Sequence, residues 1–156
     1  MKIIYFSLYV FLFSSSILAK VIKPNFAFNL ETLKNFYPGI QFQNQDKKAK
    51  LLGIKDGFNY YKQAFSHQQY QLDLLITVNP ATKKIHQLEI HFPSYFLHDD
   101  LLARLQKSYG KQNQFKNKDQ HSVYIWKNAK QLRIIYEAGC SITCFPIFLS
   151  MKKINI

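Results

Sequence analysis

The sequence predicts an α+β fold, a tandem α-β-β-β repeat forming an antiparallel sheet of about six strands with two helices on one face. Three observations predict it. First, Leu30-x-x-Leu33-x-x-x-Tyr37-Pro38-Gly39 aligns with Leu102-x-x-Leu105-x-x-x-Tyr109-Gly110. Phe42-Gln43-Asn44-Gln45-Asp46 then aligns with Phe115-Lys116-Asn117-Lys118-Asp119, and Gln71 to Ile76 with Gln131 to Tyr136, in the same order. Second, several segments alternate apolar and polar residues with the period of a strand. Third, hairpin-linked strands pair antiparallel, and two helices are too few to cover both faces of such a sheet.

The units run from about 29–92 and 99–151 and form one compact domain. The first helix opens near Asn29, a residue suited to capping, and ends before Pro38-Gly39. A strand from Phe58 to Phe65 follows, closed by the loop Ser66-His67-Gln68-Gln69. In the next strand Tyr70, Leu72, Leu74, Ile76 and Val78 alternate with Gln71, Asp73, Leu75 and Thr77. Asn79-Pro80-Ala81-Thr82 is a turn, and His86 to Phe92 returns. In the second unit Asp99 and Asp100 suit the first turn of a helix. Leu101, Leu102, Leu105 and Tyr109 make its apolar stripe, and Gly110 stops it. Its strands are His121 to Lys127, Gln131 to Ala138 and Cys144 to Ser150.

Met1-Lys2, the apolar run Ile3 to Phe13 and the small residue Ala19 read as a secretory signal peptide, residues 1–19, followed by an N-terminal segment, 20–28. The expected protein is exported, periplasmic or secreted, with no transmembrane span once the leader is removed. Export places Cys140 and Cys144, in Gly139-Cys140-Ser141-Ile142-Thr143-Cys144, where disulfides persist, and a staple across that turn is the expected pairing. Two cysteines exclude a zinc ribbon or an iron–sulfur cluster; no metal and no cofactor is expected.

The chain of 156 residues carries 21 Lys and Arg against 9 acids, a net charge of +12. Arg104 and Arg133 are its only arginines, so the excess lacks the planar fork that reads phosphates and bases, and specific nucleic-acid recognition is not expected. Lys, Asn, Ile, Phe and Tyr are residues of AT-rich codons, which accounts for part of the charge. A field of this sign still favours acidic partners and anionic surfaces.

The layout resembles the tandem helix-plus-sheet units of the beta-lactamase inhibitory protein family and of small envelope lipoproteins. The resemblance covers architecture only, and none of the short helix-opening motifs of those proteins occurs, so no functional residue is carried over. The opening order also matches a double-stranded-RNA-binding domain, but the second helix lacks a lysine-rich start.

Alignment of the repeats assigns Phe58, Tyr60, Val123 and Ile125 to the buried face with Leu72, Leu74, Ile76, Leu132, Ile134 and Tyr136. The opposite face then receives Tyr61, His91, Tyr124, Trp126 and Arg133, the expected partner-binding set, with Glu89 and Glu137 beside them. Amphipathic aromatics mixed with a few charges are the composition of an interface centre. The segment Val21 to Phe28 is the alternative cover for this face. The expected function is a non-enzymatic binding protein of the cell envelope or secreted fraction, taking a protein or acidic ligand; the oligomeric state is left open. The alternative is a small secreted hydrolase with a scattered His/Glu site, for which His91, Glu89 and Glu137 are the best acid/base candidates; no catalytic residue is assigned.

Overall fold

The computed structural model describes residues 28–44, 48–67, 70–94 and 96–154. The expected leader and all but Phe28 of the segment 20–28 lie outside the described residues. Described elements are a 3₁₀ helix (Leu30–Phe36), β1 (Lys50–Lys55), β2 (Phe58–His67), β3 (Tyr70–Val78), β4 (Ile85–His91), α1 (His98–Tyr109), β5 (Gln114–Lys118), β6 (His121–Ala129), β7 (Leu132–Cys140) and β8 (Cys144–Lys153).

The fold is mostly antiparallel sheet, with eight strands rather than about six, because each helix is followed by four strands rather than three. The two additional strands are β1 and β5, the outermost pair of the sheet. In β1 every residue but Gly53 is exposed, and in β5 all five are. A strand with no buried face leaves no alternation in the sequence, and their lysines read as solvated loop.

Strand order is β1-β2-β3-β4-β8-β7-β6-β5, with every neighbouring pair antiparallel. Each unit is thus a four-strand meander, and the two meanders join where β4 pairs β8, Leu88 opposite Met151 and Ile90 opposite Leu149. Continuous apolar rows result. Ile76, Leu88, Met151 and Ile134 form one and Leu74, Ile90, Leu149 and Tyr136 the next. All eight are at most 1% exposed. Burial of each such side chain contributes about 1.5–3 kcal/mol. Leu72 and Leu132, expected on one side of the sheet, both belong to this core.

Both helices cover the core side. The first is a single 3₁₀ segment in which Asn29 Oδ1 accepts the Glu31 amide at 3.0 Å, and it buries Leu30 and Leu33. Helix α1 has Asp99 and Asp100 in its first turn, buries His98, Leu101 and Leu105, and ends at Gly110, whose φ of 78° suits glycine. Phe28 is fully buried on this same side, edge-on to Tyr70 at 5.6 Å and Phe96 at 5.5 Å. Of the segment Val21 to Phe28 weighed as a cover for the opposite face, Phe28 alone is described, and it packs on the core side.

Among the described residues, no helix is long and apolar enough to cross a membrane.

Candidate functional site

The structure divides the five residues of the expected binding set between two faces. His91 and Arg133 lie on the helix-free face. Tyr61, Tyr124 and Trp126 lie on the helix side, and the cluster expected from the sequence does not form. Register explains each case. His67 pairs with Tyr70, and the same register sets Tyr61 opposite Ile76, a core residue. The half-buried Tyr61 ring packs on Phe42 at 4.6 Å.

In β6 a bulge decides the phase. Ala129 pairs with Leu132 at the turn, and regular pairing from there would turn Val123 and Ile125 to the core. A register shift between Trp126 and Ala129 intervenes, so Trp126 faces Ile134 and Tyr124 faces Tyr136. Trp126 is 1% exposed. Phe58, Tyr60 and Val123, expected in the core, consequently lie half-buried on the helix-free face; Ile125 shares that face but is buried, at 8% exposed.

Pairs of charged side chains flank an apolar strip on that face. Lys62 Nζ meets Asp73 Oδ2 at 3.1 Å, His91 Nε2 meets Glu89 Oε1 at 2.7 Å, and His121 Nδ1 meets Glu137 Oε1 at 2.8 Å. Cross-strand pairing sets Phe148 between His91 on β4 and Glu137 on β7, and the His91 and Phe148 rings stack at 6.3 Å. Leu75 and Ile135 belong to the adjoining row, with Glu89 and Ser150 between them.

Towards the β7–β8 turn, Gly139 makes room for the strip to continue. A Cβ there would stand 3.2 Å from Ile147 Cδ1 and 3.4 Å from Phe145 Cε2. The half-buried or exposed Phe145, Ile147 and Phe148 were not legible as site residues, because their face depends on β8 lying between β4 and β7. Cys140 and Cys144 are register partners closing that hairpin, with their sulfurs 2.17 Å apart, the staple expected across the turn.

At the other end the face is basic. Arg133 pairs with Lys152, which pairs with Gln87 on its other side. His86 stacks on Phe58 at 4.7 Å, and burial together with the nearby Lys152 ammonium lowers its pKa. Like charges in register repel, so Arg133 and Lys152 gain from an anion laid between them.

Among the described residues the one buried histidine lies on the other side. His98, 6% exposed, places Nδ1 at 2.9 Å from Tyr136 Oη and Nε2 at 3.4 Å from Tyr124 Oη. Burial lowers its pKa, opposed by the Asp99 carboxylate, and raises those of both tyrosines. These neutral groups satisfy one another inside the fold, which ties α1 to β6 and β7.

A shallow depression of about 380 Å³ is lined by Gln71, Asp73, His91, Phe92 and Pro93. It brings two titratable side chains together, with Glu89 on His91 behind them. Ser150, register neighbour of Glu89, is buried, and its hydroxyl accepts Gln87 Nε2 at 3.1 Å. Among the described residues no group of three or more His, Cys, Asp or Glu side chains is placed to hold a metal ion. Comparison with known proteins yields no match: no family model, no curated protein and no solved structure matches the chain.

Proposed function

We propose that the chain is an exported, non-enzymatic binding protein whose helix-free sheet face docks a protein partner. The observation that carries the reading is the strip of Phe145, Ile147 and Phe148 with Leu75 and Ile135. These apolar side chains stand on the face opposite both helices, bordered by His91–Glu89, His121–Glu137 and the basic pair Arg133 and Lys152. An apolar centre with a charged rim is the anatomy of a protein interface. The leader-like start, the cysteine pair and the repeated order of one helix and four strands support export of a duplicated module. The strip takes the anchoring role that the sequence had given to the aromatics of β2 and β6.

The test is site-specific photocrosslinking in the exporting cell. A photoreactive residue in place of Phe148 should capture one defined partner, whereas the same residue in place of Ala103 on the exposed side of α1 should not. Phe148→Ala should then weaken the purified complex by about 2 kcal/mol or more. Capture from Ala103 alone would end the proposal.

A hydrolytic reading is favoured by one observation, the 2.7 Å contact of His91 with Glu89 at the edge of the depression. Turnover of a simple aryl ester that disappears in His91→Ala would replace the binding reading with that one.

A further inference from the structure

The outer strand β1 pairs only with β2. Outer strands facing water ordinarily carry polar side chains. This one reads Lys50-Leu51-Leu52-Gly53-Ile54-Lys55, and Leu51, Leu52 and Ile54 are 49%, 56% and 72% exposed. The opposite outer strand, β5, exposes one large apolar side chain, Phe115, among polar and basic ones. Of the two outer strands, β1 thus carries the larger apolar exposure, along an edge about 20 Å long.

The edge is held firmly. Asn44 clamps the residue before it from both sides, Nδ2 donating to the Ala49 carbonyl and Oδ1 accepting the Ala49 amide, each at 2.9 Å. Register places Leu51 opposite Tyr61 and Ile54 opposite Asn59, so both leave the strand on the helix side, while Lys50 opposite Lys62 and Lys55 opposite Phe58 leave it on the other side, and only contact along the edge itself reaches both sets.

Two features oppose addition of another strand here. The register shift between Leu51 and Gly53 interrupts the even ladder that an added strand would need. A lysine stands at each end, so antiparallel pairing with a second copy would bring Lys50 against Lys55 twice. Leucine and isoleucine side chains between lysines, on a chain of net charge +12, fit a different acceptor. We propose that β1 is a lipid-contacting edge, with Leu51, Leu52 and Ile54 entering the interfacial layer of an anionic bilayer while Lys50 and Lys55 stay at the phosphates. Asp56 in the following turn opposes the lysines and limits the contact to a reversible one.

The inference is independent of the partner on the helix-free face, and vesicle binding tests it. Protein beginning at Lys20 is used, because the run Ile3 to Phe13 would itself partition into lipid; every described element lies within 28–154, so this form holds the whole described fold. It should sediment with phosphatidylcholine vesicles containing phosphatidylglycerol and much less with phosphatidylcholine alone, and high salt should weaken the association.

Combined Leu51→Ser, Leu52→Ser and Ile54→Ser should reduce binding at least about tenfold with an unchanged melting temperature. Lys50→Glu with Lys55→Glu should do the same, whereas the charge-matched Lys116→Glu with Lys118→Glu on β5 should retain most binding. No phosphatidylglycerol-dependent binding would overturn the proposal. So would an equal loss in the β5 variant, or a dimer of the unaltered protein that the triple serine variant dissolves.

Discussion

The indole Nε1 of Trp126 donates to the carbonyl oxygen of Gly110 at 2.8 Å, joining the middle of β6 to the residue that ends α1. One side chain thus fills the core between helix and sheet and also satisfies a helix-terminal carbonyl. Trp126→Ala should cost about 3–5 kcal/mol by leaving a large cavity. Trp126→Phe, which keeps an aromatic ring but loses the donor, should cost clearly less, because water can reach the exposed Gly110. Urea denaturation of both variants measures the difference. Equal losses would mean that the hydrogen bond, not the volume, dominates.

The contrast between strands shows what the sequence could carry. Leu72, Leu74 and Ile76, like Leu132, Ile134 and Tyr136, alternate strictly because each strand has one face on the core, and those positions were legible. Trp126 was not. Its side of the sheet is decided by a single bulge between itself and Ala129, and a one-residue shift inverts every side chain beyond it. The bulge leaves no mark in residue type. Phe148 was illegible for another reason: its neighbours His91 and Glu137 come from distant parts of the chain, and only the β4–β8 pairing brings them beside it. β1 and β5 escaped notice because a strand exposed on both faces has no periodicity to read.

His98 predicts an acid-sensitive fold. Its folded pKa is lowered from 6.5 by burial, so the unfolded chain binds more protons as pH falls through that value. Stability from the neutral imidazole is therefore complete above the ordinary histidine range and declines as pH descends through 6.5 towards the depressed folded value. Protonation also makes both ring nitrogens donors, so neither the Tyr136 nor the Tyr124 hydroxyl can then donate to the ring. Thermal midpoints at about pH 7.5 and about pH 5.5 should differ more for the unaltered protein than for His98→Gln. His86, lowered for the same main reason, acts with the same sign, so some slope should persist in the variant. An unchanged slope would place the acid sensitivity elsewhere.

The β6–β7 turn holds a correctable strain. Lys130 and Gln131 have φ of 54° and 64°, the left-handed conformation of a two-residue hairpin turn, where glycine is favoured at the second position. Gln131→Gly should stabilise the protein by roughly 1 kcal/mol, since left-handed backbone costs a side-chain-bearing residue about that much. The backbone carbonyl of Gln131, which accepts the Ile154 amide at 3.0 Å, is retained, and so is Lys130, whose ammonium stands 5.4 Å from the Tyr109 ring centre. The denaturant midpoint should rise with no change in slope. A fall would show that the Gln131 side chain does more than occupy the turn.

The cysteine pair should staple the hairpin without being essential to the fold. Cys140 and Cys144 are separated by only four positions and already face one another across the β7–β8 ladder. Closing so short a loop removes little freedom from the unfolded chain, so the bond should contribute about 2 kcal/mol at most. The paired variant Cys140→Ser and Cys144→Ser should therefore unfold at a lower denaturant concentration yet remain cooperative. The turn lies beside Phe145 and Ile147, so a second effect is expected at the helix-free face. Loosening the hairpin frees these side chains, and a partner docking there must order them again on binding. The variant should bind the crosslinked partner more weakly than its small loss of stability implies, mainly through faster dissociation. Unchanged dissociation would show that the apolar strip is held by the sheet alone.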